Sequence, residues 1–211
     1  MLHGLGQSAA SWKDTVKSMG QAADILCPEL SDWLSEGPVC YDSLYRGLEK
    51  YCAQAGGPLN LCGLSLGGIL ALQYGVEHPE RVNSLVLIGT QYVMPKGLLR
   101  VQNLVFHLMP KNAFQGMGFE KRDFIDLSKS MLNLDFRAGL KDIRCPVLVV
   151  CGEKDRANRA AAEQMKERIP NAELLIIPGA GHELNQDAPE QLGKAIGRFF
   201  ADNSREEEVE K

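Results

Sequence analysis

Two patterns of apolar and polar positions alternate along this chain. Four short, largely apolar runs occupy residues 59–62, 84–88, 147–151 and 173–177 and favour Leu, Val and Ile. Runs of this kind, continuous rather than strictly alternating, are expected of parallel strands covered on both faces. A weaker run at 25–27 ends at Pro28 and reads as a further strand. Between the runs the period changes to a helical one. Residues 41–53 carry Leu44, Leu48, Tyr51 and Cys52 at helical spacing, and residues 66–77 carry Ile69, Leu70, Leu72 and Tyr74 before stopping at His78-Pro79. Asn158 is placed to cap a helix over 159–168, with Ala162, Met165 and Ile169 on one face, and Pro189 opens a last helix carrying Leu192, Ile196, Phe199 and Phe200. Alternating β and α units predict one α/β domain over 1–211, with a doubly wound, mostly parallel sheet and right-handed crossovers. The charge-rich residues 204–211 read as a solvated end.

One stretch interrupts the alternation. Residues 93–142 contain no clear strand but many Phe and Met residues, among them Phe106, Met109, Phe114 and Met117. Extra helical core is one reading. The preferred reading is a small helical cap over a pocket, with these four side chains as an adaptable apolar lining for substrate.

Candidate chemistry begins at Gly63-Leu64-Ser65-Leu66-Gly67, a GxSxG pattern between an apolar strand (LNLC) and a helical run (LGGILALQY). A sharp strand-to-helix turn needs small residues beside the serine, and it projects that serine at the carboxyl end of the strand. Serine needs a base to act as a nucleophile. Of His3, His78, His107 and His182, only His182 follows a strand (ELLIIP) in a glycine-bearing loop. Its orienting acid is expected one crossover earlier, at Asp155 after the strand VLVVC, with Glu153 as the alternative; Asp187 reads as a helix cap. The order Ser65, Asp155, His182 suits this strand-turn-helix arrangement. The developing oxyanion needs two donors, assigned to the backbone N–H groups of Leu66 and of Leu5 in His3-Gly4-Leu5-Gly6.

Composition narrows the function classes further. The 211 residues are 45% hydrophobic and 24% charged, ordinary for a globular protein, and the formal charge of −4 excludes a dedicated nucleic-acid binder. No apolar run approaches the roughly 20 residues that span a bilayer, so no membrane partner is expected. The N-terminus lacks a basic region followed by an apolar stretch. The six cysteines therefore read as reduced thiols of a cytoplasmic protein, and none has zinc-ligand spacing. No metal and no cofactor is expected.

The segments HGLGQSAASW, GLSLGG, EHPERVNSLVLIG, CPVLVVCGEKD and IIPGAGHELNQDAPEQL together resemble the α/β-hydrolase fold family over nearly the whole chain. The resemblance implies a Ser65, Asp155, His182 triad, oxyanion donors at Leu5 and Leu66, and a cap after the strand ending at Ile88. It does not fix the substrate among carboxylic esters, thioesters, lactones, C–C bonds and peptides. One departure stands out: the family has strands before the HG loop, whereas here only Met1 and Leu2 precede His3. A missing strand would leave the 25–27 and 59–62 runs either paired directly or flanking a gap, and would loosen the oxyanion loop. The expected activity is hydrolysis of a small ester-like substrate through a seryl acyl-enzyme. The rival is a non-catalytic small-ligand binder or sensor on the same scaffold.

Overall fold

A computed structural model of the chain describes residues 1–20, 25–34 and 37–204. Its centre is a parallel sheet of β1 (Leu59–Leu64), β2 (Val82–Ile88), β3 (Val147–Gly152) and β4 (Ala172–Ile177), in the spatial order β1-β2-β3-β4. Each pair is in parallel register, from Leu64 against Ile88 through Ile88 against Val150 to Val150 against Leu175. All four predicted runs become these strands: β2 and β3 are buried along nearly their whole length, whereas β4 at the sheet edge is mostly half-buried.

The period-two alternation of strand side chains divides the core into two layers. Leu61, Leu85, Leu87, Val147 and Val149 point to one face, where α2 (Tyr41–Cys52), α3 (Leu66–Glu77) and α6 (Arg156–Arg168) cover them. Cys62, Leu64, Val86, Ile88, Leu148 and Val150 point to the other, under α1 (Lys13–Ser18) and α8 (Pro189–Ser204). Helix α6 begins three residues earlier than expected, because its N-cap is Asp155, whose carboxylate accepts the Asn158 N–H at 3.3 Å. Asn158 lies inside the helix and is not its cap. The short α7 (Leu184–Asp187) precedes α8 directly.

Between β2 and β3 the chain leaves the sheet through a narrow neck. Val93 bridges Asp135, Phe136 N–H donates to Tyr92 C=O at 2.8 Å, and Met94 N–H donates to Leu134 C=O at 3.1 Å. Beyond the neck lie α4 (Lys96–Leu108) and α5 (Lys121–Ser130).

The N-terminal edge differs from the sequence expectation. The 25–27 run forms no strand. Leu2 is a one-residue bridge, donating to Cys62 C=O at 2.8 Å and accepting from Leu64 N–H at 3.0 Å, while the Met1 ammonium donates to Leu26 C=O. Leu2 thus stands between β1 and the 25–27 segment as the stub of a strand. Below it opens a trough of about 650 Å³ lined by Ile25, Leu26, Leu59 and Leu61 among others. The expected gap is present, and it is filled only at its upper end. Residues 204–211 lie outside the described part, except that Ser204 closes α8.

Candidate active site

Ser65 sits between β1 and α3 with φ 53° and ψ −112°, and it is the one non-glycine residue with positive φ among the described residues. Such a conformation costs of order 1–3 kcal/mol and persists only where the surroundings impose it. They do so by close packing. A Cβ on Gly63 would lie 2.2 Å from Gly67 C=O, and one on Gly67 would lie 2.3 Å from Leu2 C=O. The Ser65 N–H is tied to Ile88 C=O at 2.8 Å.

Asp155 leaves the end of β3 and His182 the loop after β4, so neighbouring strands bring them together. His182 Nδ1 lies 2.8 Å from Asp155 Oδ2. Asp155 is buried, whereas 41% of the His182 side chain is exposed. Burial works to raise the Asp155 carboxyl pKa, but hydrogen bonds from His182 and Asn158 outweigh it and hold the group below its ordinary value. Asn158 is the larger surprise. Its Nδ2 donates to both carboxylate oxygens, at 2.9 and 2.8 Å, and its own Oδ1 accepts from Gln91 Nε2 at 2.8 Å. Gly89 (φ 53°) passes beneath the pair: a Cβ there would stand 3.0 Å from the His182 ring and 3.4 Å from Asp155 Oδ2.

The other acids have different partners. Glu153 is exposed and accepts the Gly179 N–H at 2.7 Å, while Asp187 accepts the Gly181 N–H at 2.7 Å; both brace the loop that carries His182. The other histidines are engaged elsewhere. His3 is fully buried, with Nδ1 2.9 Å from Gly4 C=O and Nε2 accepting from Leu30 N–H at 3.1 Å. His78 lies 3.2 Å from Glu49, and the exposed His107 lies 2.8 Å from Asn103 C=O. Glu49, Glu77 and His78 bring ligand atoms within 4.8 Å of one another, but none of the three lines the cavity described next.

Ser65, Asp155 and His182 open into one cavity of about 400 Å³, together with Leu5 and Leu66. The N–H groups of Leu5 and Leu66 make no hydrogen bond to another described residue. The loop holding Leu5 is not loose, despite its short lead-in. Gly4 N–H donates to Gln7 Oε1 at 3.3 Å, and the side-chain amides of Gln7 and Asn185 exchange hydrogen bonds of 3.1 and 3.0 Å. Asn185 belongs to α7, just after His182, so this buried amide pair clamps the Leu5 loop to the His182 loop. Nothing in the spacing of the sequence marks Gln7, Asn185 or Gly89, and the position of Asn158 marks it only as a helix cap.

The apolar side of the cavity corrects an expectation. Phe106, Met109, Phe114 and Met117 do not line it; Met94, Leu98, Leu99, Val101 and Met131 do. Phe106 and Phe114 instead pack edge-to-face on Phe124, with centroids 5.3 and 4.8 Å away, as the core of the α4–α5 unit. The two ends of α4 divide the work: its first turns meet the cavity, and its last turn carries Phe106 into the aromatic cluster.

The cysteines are all free, and burial pushes the thiols of Cys52, Cys145 and Cys151 up to about 11 and that of Cys62 up to about 12. These four buried thiols are protonated, non-nucleophilic groups at neutral pH.

Comparison with known proteins bears on the fold and the family. The chain is 28% identical to a pimeloyl-[acyl-carrier protein] methyl ester esterase of Nitrosomonas europaea, over 91% of each chain. It is 20% identical to the monoacylglycerol lipase ABHD6 of Homo sapiens, over 95% of this chain and 74% of that one. A thermophilic esterase from Thermogutta terrifontis has the same fold, with a TM-score of 0.79 and 21% identity, covering 96% of this chain and 88% of the other. The profile of the Alpha/beta hydrolase family matches residues 1–195, and the chain belongs to that family.

Proposed function

We propose that the protein is a serine hydrolase that cleaves a carboxylic ester through a seryl acyl-enzyme. The observation that carries this reading is the meeting of a strained, cavity-facing Ser65 with a buried Asp155 bonded at 2.8 Å to a half-exposed His182. Esterase-type relatives support ester hydrolysis in general. In the proposed reaction Ser65 Oγ attacks the carbonyl carbon while His182 Nε2 takes its proton. Asp155 holds Nδ1–H, which fixes the tautomer and stabilises the imidazolium. The N–H groups of Leu66 and Leu5 receive the oxyanion. His182 returns the proton to the departing alcohol, and water repeats the attack on the acyl-enzyme. The α4–α5 unit acts as the cap, and its cavity-facing Leu98, Leu99 and Val101 favour an apolar acyl part.

The test is labelling with a fluorophosphonate probe alongside turnover of a panel of acyl esters. Ser65 is expected to carry the label, and Ser65→Ala is expected to lose both label and turnover while keeping the fold. Wild-type protein that takes no label at Ser65 would return the reading to a ligand-binding protein on a hydrolase scaffold.

A further inference from the structure

Six large hydrophobic side chains are exposed among the described residues, and five of them lie on α4: Leu98 (52%), Val101 (60%), Leu104 (60%), Val105 (46%) and Leu108 (78%). Their spacing of three, four and seven residues puts them on one stripe of the helix. Leu99 and Phe106 face the other way: both are partly buried against the core, Leu99 at the edge of the Ser65 cavity and Phe106 against Phe124. The stripe is therefore a second apolar face, left over after the helix has packed.

Charge on the segment that carries the stripe is one-sided, while the neighbouring α5 and its N-cap balance Glu120, Asp123 and Asp126 against Lys121, Arg122 and Lys129. From Thr90 to Phe119 the chain carries Lys96, Arg100 and Lys111 and no carboxylate, although its overall charge is −4. All three basic side chains are exposed. An exposed aliphatic stripe bordered by basic residues on a helix lying along the surface fits the plane of an anionic lipid layer. A second copy fits poorly, because a two-fold contact would set the same basic side chains against each other. The stripe also holds only Leu and Val, without the aromatic anchors that dominate protein interfaces.

We propose that α4 docks on an anionic lipid surface through Leu104, Val105 and Leu108, with Leu98 and Val101 leading from that surface into the Ser65 cavity. The last two residues belong to both the stripe and the cavity lining. The substrate class follows: an ester whose apolar chain is held in a lipid layer and slides along α4 to Ser65. The docking stands on the exposed face itself, whereas the substrate class rests on the serine hydrolase reading above. The absence of a bilayer-spanning run does not oppose it, since surface docking needs no span.

The experiment uses the full chain and vesicles of phosphatidylcholine, with and without phosphatidylglycerol. Wild-type protein should sediment with the phosphatidylglycerol vesicles and be released by high salt. The double variant Leu104→Glu/Leu108→Glu should bind them at least tenfold more weakly. Both positions point into solvent and neither lines the cavity, so turnover of a short, water-soluble ester should match wild type, whereas turnover of a long-chain ester embedded in the vesicles should fall at least tenfold. Equal vesicle binding by wild type and double variant overturns the proposal. So does a wild-type dimer that the double variant dissolves without any vesicle binding, which would assign the face to a second copy. Vesicle binding with unaltered turnover in Ser65→Ala would leave the docking intact and overturn the nucleophile.

Discussion

Replacing Asn158 with alanine isolates the least anticipated contact of the site. In the folded protein the Asn158 Nδ2 donates to both oxygens of Asp155, at 2.9 and 2.8 Å, and the carboxylate is buried. The substitution removes both donors but keeps the backbone N–H of residue 158, which also reaches Oδ1 at 3.3 Å, and it keeps His182. Hydrogen bonds to a charged group contribute about 1.5–3 kcal/mol each, and here two share one amide, so the expected loss is about 2–3 kcal/mol. The loss has a pH signature. The folded-state pKa of Asp155 is depressed, so its stabilisation is complete above the unfolded carboxyl pKa and disappears as pH falls through the folded one. The gap between wild type and Asn158→Ala is therefore widest at neutral pH and narrows in acid to the part due to the Gln91 bond to Asn158 Oδ1, which does not titrate. Denaturant unfolding at neutral pH and again below the ordinary carboxylate range reads it directly. Turnover should fall less than in Asp155→Asn, because the charge remains. A destabilisation that stays constant across both pH values would mean that Asn158 acts through packing and its Gln91 bond rather than through the Asp155 carboxylate, and the reasoning would fail.

Asp155→Asn should depress ester turnover by about 10⁴-fold, while Glu153→Gln, which loses only its brace on Gly179, should change it little; reversed effects would move the acid to Glu153. Gly89→Ala should cost about 1 kcal/mol for a Cβ at positive φ, and by pressing on His182 from 3.0 Å it should lower turnover about tenfold with KM nearly unchanged. An apolar strand fused ahead of Met1 should pair along the lower edge of β1 and raise the melting temperature by several degrees. Its effect on turnover should be small, since Gln7 and Asn185 already hold the Leu5 loop; unchanged melting would show that the trough needs no occupant.

The parts of this molecule legible in sequence are those whose physics is local. The strands announce themselves as continuous apolar runs, β2 and β3 because both their faces are buried, and a strained serine turn needs small neighbours, so Gly63 and Gly67 flag it. Asp155 and His182 follow because each comes directly after a strand. What sequence conceals depends on direction rather than type. Phe106, Phe114 and Met117 are apolar as a lining should be, but the rotation of α4 on its neck turns Phe106 toward Phe124 and gives the lining to Leu98 and Val101. Asn158 has the chemistry of a helix cap, and only the fold reveals that Asp155 caps the helix while Asn158 serves Asp155. The 25–27 run lacks a strand because the partner it would need is reduced to Leu2. The Gln7–Asn185 pair spans 178 residues, and no local pattern can predict such a contact.

That separation matters for the order in which the chain becomes active. Helix α1 lies against α8 so closely that a Cβ on Gly193 would stand 2.3 Å from Thr15 C=O, and one on Gly197 would stand 2.4 Å from Met19 C=O. The sheet, by contrast, is laid down in chain order, each new strand pairing with the one before it. During synthesis from the ribosome, β1 to β3 and the turn at Ser65 can therefore assemble while the loop at Leu5 still lacks Asn185 and the His182 loop does not yet exist. On the proposed reading, the site is complete only once the His182 loop and α7, which follow β1 to β3 in the chain, have joined it. On that reading, a nascent chain that ends before His182 would carry Ser65 without its base, with most of its sheet already built.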